Sequence, residues 1–338
     1  MTVHLTGVGT YLPDETVDGA DIARLSGIPR DVVVEKMGIR RKHVCRGGGD
    51  QPSDMCVAAA EAALADADCD PDALDAVRYH GSEFKDHVVW SLAADVADRI
   101  GATDAYASES YALCAGAPVA MREARAQLEA DAPEKLLLVA ASREEDLVDY
   151  EDPDTSFTFN FGSGASALVL ERDAPDGALA TVRESAAVTD SSFSRDVVMP
   201  AGGTRHPANH DTVDQDMHKL RVRDHEEMKE RLAEVSLPNF LDVAATALER
   251  SGYDREDVDF AAITHMKRSF HAYLCDELGL GDRQSYYLDE YGHIQSVDQA
   301  LATEQARSRD WLDSGDVVLY LAAGTGYTWA ATVLEWQA

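Results

Sequence analysis

Short apolar runs of strand length alternate with longer stretches whose apolar positions recur at helical spacing. Val3 to Thr10 reads as a strand, as do Leu74 to Tyr79, Tyr106 to Ser110 and Lys135 to Ala141. Asp54 to Ala67 reads as an Ala-rich helix capped by Ser53, and Val89 to Ile100 and Ala115 to Ala130 also carry apolar residues at helical spacing. Strands separated by helices need crossover connections, so the pattern predicts an α/β protein with a largely parallel sheet. Residues 190–225, polar and rich in His, Asp, Gly and Pro, break the alternation and read as a long connection or insertion. At its far edge, Arg221 to Glu234 places Met228 and Leu232 four residues apart, as an amphipathic helix with a wet face does.

The alternation runs twice. Ala63-Leu64 is followed by Asp70, Leu74 and Asp75 ahead of a strand, and Ala247-Leu248 by Asp254, Val258 and Asp259 ahead of another. From 63 to 247 and from 75 to 259 the offset is the same, 184 residues. Each half closes on a glycine turn and a β-rich run: Gly162-Ser163-Gly164 leads to Val169-Leu170-Glu171, and Gly324-Thr325-Gly326 to Val333-Leu334-Glu335. Matches in the same order at both places predict an internal duplication, with halves 1–175 and 176–338 and the polar insertion in the second.

Composition narrows the function classes. The chain has 338 residues, 45% of them hydrophobic, which is enough for a large core. Lys and Arg total 30 against 62 Asp and Glu, a formal charge of −32, spread along the chain rather than gathered in a tail. Such a field repels phosphate backbones and anionic lipid heads, which argues against nucleic acid and membrane as partners. Five cysteines without a CxxC pair, and a start (MTVHLTGVGTYLPDE) with neither basic residues nor an apolar run, predict reduced thiols in the cytoplasm with no signal segment or spanning helix.

One of these cysteines stands apart. Cys114 follows a strand ending near Ser110 and opens a helix beginning Ala115-Gly116-Ala117-Pro118. A thiol there meets the positive end of the helix dipole, and the small residues after it let a substrate approach closely, so Cys114 is the candidate nucleophile. Cys56 and Cys275, inside amphipathic helices, read as structural. His265 ends the second-half strand Phe260 to Thr264, where loops of open α/β sheets carry function. His293, in Tyr291-Gly292-His293-Ile294, precedes a helix through Leu301, and in the duplicated frame it takes the place that Cys114 takes in the first half. Two imidazoles converging on a thiol make a site.

On these residues the chain resembles the thiolase superfamily, and within it the β-ketoacyl-acyl-carrier-protein synthase III branch. Gly7-Val8-Gly9-Thr10-Tyr11-Leu12-Pro13 looks like that family's opening strand and turn. Met37-Gly38-Ile39-Arg40-Arg41-Lys42-His43 looks like its G-I-R-x-R-H segment, and Leu113-Cys114-Ala115-Gly116 like its nucleophile motif. Phe161-Gly162-Ser163-Gly164-Ala165-Ser166-Ala167 resembles its F-G-D-G-A-x-A stretch, and Gly324-Thr325-Gly326-Tyr327-Thr328-Trp329 its terminal glycine turn. The resemblance implies a five-layered αβαβα fold of two duplicated halves and a homodimer.

It also implies a reaction. Cys114 takes an acyl group from a thioester, and a malonyl-type thioester then loses carbon dioxide. His265 and His293 hold the enolate oxygen, and the backbone of Cys114 with Gly324, Thr325 and Gly326 holds the acyl carbonyl. Acyl-CoA and malonyl-type thioesters are the implied substrates, with an acyl carrier protein as a candidate partner, and the condensation needs no metal and no cofactor. Lys36 and Arg268 are the implied substrate contacts. Where the branch carries Cys-His-Asn, this chain has His293 in the Asn place, and Met266-Lys267-Arg268 stands where the family often has Gln-Ala-Asn.

Two alternatives compete. His80-Gly81-Ser82-Glu83 resembles the loop that supplies a glutamate acid/base in hydroxymethylglutaryl-CoA synthase, which would make Glu83 the base of a condensation without decarboxylation. A non-catalytic subunit of a condensing complex is the other. Gly7-x-Gly9 lacks the rest of a dinucleotide fingerprint. His206, His210, His218 and His225 lack cysteine company and read as a solvated loop rather than a metal site.

Only seven lysines contribute to the basic charge, against an acidic excess that salt screens, which is the balance expected of a protein from a salt-rich cytoplasm. Dialysis from molar to millimolar salt is expected to cost the far-ultraviolet circular dichroism signal of the folded chain; a spectrum indifferent to salt contradicts this.

Overall fold

The Val3–Tyr11 strand lies near the middle of a mixed sheet, and the rest of the molecule is arranged around it. The computed structural model describes residues 1–47, 49–130, 133–174 and 177–338. In chain order the strands are β1 Val3–Tyr11, β2 Thr16–Asp18, β3 Arg41–His43, β4 Ala76–Tyr79, β5 Tyr106–Glu109, β6 Lys135–Ser142, β7 Gly164–Arg172, β8 Ala180–Thr189, β9 Val197–Val198, β10 Arg221–Val222, β11 Val258–Ile263, β12 Val317–Gly324 and β13 Thr328–Trp336. The helices are α1 Gly19–Ser26, α2 Pro52–Asp66, α3 Leu92–Ile100, α4 Gly116–Glu129, α5 His210–Asp214, α6 His225–Ser251, α7 Arg268–Leu278 and α8 Asp298–Arg307.

Nine strands pair in the order β11-β12-β13-β8-β1-β7-β6-β4-β5. The two halves of this sheet join where β1 touches β8, at His4–Thr181 and Leu5–Ala180. On one side of that seam the order β5-β4-β6-β7-β1 is third, second, fourth, fifth, first in chain sequence. On the other, β11-β12-β13-β8 repeats it with the third strand reduced to a single bridge between Ala261 and Ser285. The repeated order is what the constant spacing along the sequence predicts; the junction at 175/176 itself lies outside the described residues. The expectation of a largely parallel sheet needs correction. Only β4–β5, β4–β6 and β11–β12 are parallel, because the last two strands of each half return as antiparallel neighbours without a crossover helix.

Five layers follow from which faces are apolar. In β6, Leu136, Leu138 and Ala140 face one cluster while Leu137, Val139 and Ala141 face another, so both sides of the strand are buried. The first cluster is the middle of the molecule. There α4 (Ala120, Met121, Ala124, Leu128) and α8 (Ala300, Leu301, Ala306) lie between strands of both halves. Outside, α2 and α3 cover one half, and α6 and α7 the other. This is the thiolase-like αβαβα arrangement.

Several boundaries differ from the sequence reading. The α2 helix begins at Pro52 rather than Asp54, and Ser53 is not its cap. Instead the Asp86 carboxylate accepts from Ser53 N at 3.1 Å and from Ser53 Oγ at 2.6 Å, a capping group from a distant loop that local sequence does not reveal. Residues 221–222 form β10, and the helix read from Arg221 begins at His225, where the Asp224 carboxylate accepts from Glu227 N, and runs on to Ser251 through Pro238. Within the polar 190–225 segment, β9 and β10 pair and α5 forms. Leu220 N–Leu147 O at 3.1 Å and Arg221–Asp149 at 2.8 Å tie the segment to the first half.

Glycine permits the close approach of β1 to α2. A Cβ on Gly9 of β1 would stand 2.4 Å from both Ala59 O and Ala63 N of α2. Gly9→Ala must therefore push the helix off the sheet, and we expect it to cost about 3 kcal/mol, read as a lower urea midpoint at unchanged slope.

Candidate active site

Two tight turns in the middle of the molecule create the site. Each of α4 and α8 is entered through a short 3₁₀ turn, Leu113–Ala115 and Gln295–Val297, whose first residue has left-handed backbone: Leu113 at φ +50° and Gln295 at φ +52°. The matched turns identify Ser296, not His293, as the counterpart of Cys114, which corrects the sequence reading; His293 belongs to the chain entering its turn. The two turns touch. Ser296 Oγ donates to His80 O at 3.2 Å, and a Cβ on Gly116 would lie 2.9 Å from Ser296 Cβ and 2.5 Å from His80 O. A strained residue ahead of a buried helix start aims the next side chain away from the helix and into the space between the halves.

That side chain is the Cys114 thiol, whose Sγ lies 3.1 Å from His293 Nε2. The other ring nitrogen, His293 Nδ1, is 2.6 Å from Asp298 Oδ2. Asp298 is fully buried and opens α8. It also accepts from His265 N at 2.8 Å on Oδ2 and from Ile294 N at 2.7 Å on Oδ1. Burial opposes charge on His293, but the Asp298 carboxylate and the Cys114 sulfur outweigh it and hold the imidazolium well above its ordinary value. Phe161 closes the ring from one side, edge-on at 5.3 Å, and the His293 backbone is fixed by His293 N–Asn160 O at 2.7 Å and Gly162 N–His293 O at 2.9 Å. Lys42, wholly buried, donates to Phe161 O at 2.6 Å.

His265 is the opposite kind of imidazole. Burial pushes it down to about 3, so it is neutral. Asn160 Nδ2 lies 3.1 Å from its Nδ1, which with the amide donating leaves the proton on Nε2. Among the described residues nothing accepts from that buried Nε2. The Tyr287 ring supports His265 at 4.9 Å, and Arg268 lies over the same Tyr287 at 4.5 Å while pairing with Asp289.

The terminal glycine turn reaches the same place. A Cβ on Gly324 would stand 2.4 Å from Ala112 O and 3.0 Å from Cys114 N, so the bare glycine lets the end of β12 lie against the Cys114 backbone. Thr325 and Gly326, the latter at φ +99°, form the tight connection to β13. The structure thus brings together Cys114, His265, His293 and Gly324. It leaves Lys36 exposed in the turn Val32–Lys36, and Glu83 exposed on the loop after β4. Among the described residues no group of His, Cys, Asp or Glu is arranged to hold a metal ion, and His218 instead meets Thr212 Oγ1 at 3.1 Å. The open cleft at Glu61, Asp68 and Cys69, about 400 Å³, shares no residue with this site.

Sequence reasoning missed three participants. Asp298 had a signal: an acid at the head of an otherwise Ala-rich helix, five residues after His293. Asn160 had only its place beside the Phe161-Gly162 motif. Glu144, in the short turn Glu144–Leu147 after β6, had none, since it is one acid among three in a row. It is buried, and burial pushes it up to about 7, with the His293 charge opposing.

Comparison with known proteins agrees with this geometry. Residues 109–190 match the family described as 3-oxoacyl-[acyl-carrier-protein (ACP)] synthase III, and residues 248–336 match its C-terminal part, together just over half of the chain. A β-ketoacyl-[acyl-carrier-protein] synthase III of Solibacter usitatus is 29% identical over 333 residues, covering 98% of each chain. A β-ketoacyl-[acyl-carrier-protein] synthase III of Streptomyces coelicolor is 29% identical over 335 residues, covering 99% of this chain and 97% of the relative. Crystal structures of 3-oxoacyl-(acyl carrier protein) synthase III from Aquifex aeolicus and Pseudomonas aeruginosa share the fold. Their TM-scores are 0.84 and 0.85 at 21% identity, and they cover 99% and 100% of this chain and 100% and 99% of their own. The chain belongs to the β-ketoacyl-acyl-carrier-protein synthase III-like condensing enzymes of the thiolase superfamily, and is an acyltransferase.

Proposed function

We propose that the chain joins an acyl thioester to a malonyl-type thioester by decarboxylative Claisen condensation through Cys114, His293, Asp298 and His265. The observation that carries this assignment of roles is the relay Cys114 Sγ–His293 Nε2–Asp298 Oδ2, at 3.1 and 2.6 Å. The sulfur attacks the thioester carbonyl, the carbonyl–sulfur bond of the donor breaks, and the departing thiol takes the proton that His293 held. With the sulfur acylated, His293 Nε2 takes up a proton from solvent to replace the one lost with the thiol, and that N–H is free to join that of His265. Both then face the enolate oxygen that forms as the malonyl carbon–carbon bond breaks and carbon dioxide leaves. The enolate carbon attacks the acyl carbonyl, held by the backbone of Cys114 and the Gly324-Thr325-Gly326 turn, and the sulfur departs with its electron pair.

The donor is read as an acyl-CoA and the extender as carried by coenzyme A or an acyl carrier protein, with Lys36 and Arg268 as the basic contacts. No metal or cofactor enters a step. A homodimer in the cytoplasm is part of the same reading. Its support is β5, an edge strand of the sheet with Tyr106 exposed, together with exposed Val88 and Val89 on the loop between β4 and α3. No helix among the described residues is long and apolar enough to cross a membrane. The two halves, 1–175 and 176–338, are read as products of one duplication, which the repeated strand order supports.

Intact-mass spectrometry after incubation with a panel of acyl-CoAs, followed by malonyl-CoA, tests the reaction. One acyl adduct that maps to Cys114 and is discharged by malonyl-CoA into a β-ketoacyl product is expected; no adduct, or one outside Cys114, rejects the reading. Roles separate by step. Asp298→Asn is expected to slow acylation of Cys114 by roughly a hundredfold, since the imidazolium loses its counter-charge. His265→Ala is expected to leave acylation nearly intact and cut condensation by roughly a hundredfold or more, measured as adduct that persists in malonyl-CoA. Glu83→Gln should condense like the parent chain; loss of condensation would restore the glutamate-base alternative.

A further inference from the structure

One buried acid beside the site takes no part in the steps above. Glu144 lies two residues beyond the end of β6, at the start of the turn Glu144–Leu147, and is buried. Gln295 Nε2 donates to Glu144 Oε1 at 2.6 Å, and Ser142 Oγ donates to Oε2. Gln295 is the left-handed residue at the head of the α8 turn, two positions from His293. Its own Oε1 is buried and, among the described residues, finds no donor.

This arrangement suits a carboxyl that changes its protonation state. When Glu144 is ionised, the Gln295 amide donates to it as observed. When Glu144 carries a proton, a half-turn of the amide presents the orphaned Oε1 as an acceptor for the new O–H, so either form keeps a hydrogen bond. A buried acid with a partner in only one form would be locked in that form.

The charged and titratable groups around Glu144 come from three directions. From the α8 turn, the His293 charge favours the ionised acid. From β4, Tyr79 is neutral, with its hydroxyl donating to Ser82 O at 2.7 Å. From its own turn, the Arg143 guanidinium is taken by Asp146 at 2.8 Å. The Glu145 carboxylate faces Arg46 at 3.7 Å and, beyond it, Lys42. Of these, His293 is the one whose charge the mechanism uses.

Resting on the reading of Cys114–His293 as the nucleophile and its partner, we propose that Glu144, bonded to Gln295 at the head of the α8 turn, is a positioning residue whose loss or gain of a proton sets how firmly His293 stays cationic against the Cys114 sulfur. The ionised acid adds a second negative charge behind the imidazolium, alongside Asp298, and strengthens it. As pH falls and Glu144 takes up a proton, that support disappears while Asp298 remains. Cys114 reactivity therefore steps down near pH 7, before the acid limb of the Cys114–His293 pair itself, as coupled sites do. Burial pushing Glu144 up to about 7 is what places the step near neutral pH, and the Gln295 amide is what lets both forms keep a partner.

The test reads the sulfur directly rather than turnover. The rate of Cys114 alkylation by iodoacetamide, followed by peptide mass spectrometry from pH 5 to 9, is expected to show two inflections in the parent chain. Glu144→Gln, which keeps the shape and an acceptor for Gln295 but cannot titrate, is expected to lose the neutral inflection and to react roughly three- to tenfold more slowly at pH 8, equivalent to a coupling of half to one pKa unit. Glu144→Asp, which keeps the acid, is expected to restore an inflection at a shifted pH. A parent profile with a single inflection overturns the proposal even if the Gln variant does not fold, and so does a Gln profile that superimposes on the parent. The reading of Cys114 as the acylated nucleophile stands or falls separately, on the acyl-CoA adduct.

Discussion

The site depends on one buried carboxylate. Asp298 is fully shielded from solvent, and an ionised carboxylate placed there without partners would cost several kcal/mol. It persists because it sits at the first position of α8, where the helix dipole favours an anion, and because two backbone N–H groups and one imidazole N–H donate to it. The same hydrogen bonds do the positioning. His265 N fixes the end of β11, Ile294 N fixes the turn into α8, and His293 Nδ1 turns Nε2 toward Cys114. One charge thereby locks three pieces of the second half into a single geometry.

The first half meets this assembly through close backbone approach as well as through the Cys114 and Asn160 side chains. Gly116 and Gly324 remove the Cβ atoms that would hold the two helix starts and the β12 end apart: Gly116 lies against the Ser296 side chain, and Gly324 against the main chain of Ala112, Cys114 and Ala115. Close approach of backbones is how a helix N-terminus and a hairpin end come to lie side by side, where the proposed reaction puts the thioester carbonyl. Left-handed Leu113 and Gln295 at the two turn heads are the conformational cost of that arrangement, held in place by the packed layers around α4 and α8.

What could be read from the sequence follows from how local each feature is. The strand at Val3, the helices at 116 and 298 and the duplication were legible because periodicity and spacing record them directly. Cys114 was legible because strand, thiol and small-residue helix stand next to one another. The sheet's handedness of pairing was not, because Lys135 to Ala141 reads the same whether its neighbour runs parallel or antiparallel. The Asp86 cap on α2 and the Asn160 contact to His265 join residues 33 and 105 apart, and no local pattern encodes them. The equivalence of Cys114 with Ser296 rather than His293 needed the backbone itself, since the matching feature is a dihedral angle and not a residue type.

The two histidines show why identical side chains can carry different duties. Both are buried, and burial alone disfavours charge on each. His293 faces a carboxylate on one nitrogen and a sulfur on the other, so the attraction exceeds the burial cost and the ring is cationic. His265 faces an amide on Nδ1 and, among the described residues, no hydrogen-bond partner on Nε2; burial outweighs the Asp298 charge and the Gly38 backbone, and the ring is neutral. A cation beside the sulfur supplies the proton and counter-charge that acyl transfer needs, while a neutral N–H with no competing acceptor is suited to an oxygen that becomes negative only during decarboxylation. The asymmetry is set by Asp298: its side chain reaches the ring of His293 but only the backbone of His265, and that difference assigns one imidazole to charge and the other to hydrogen bonding.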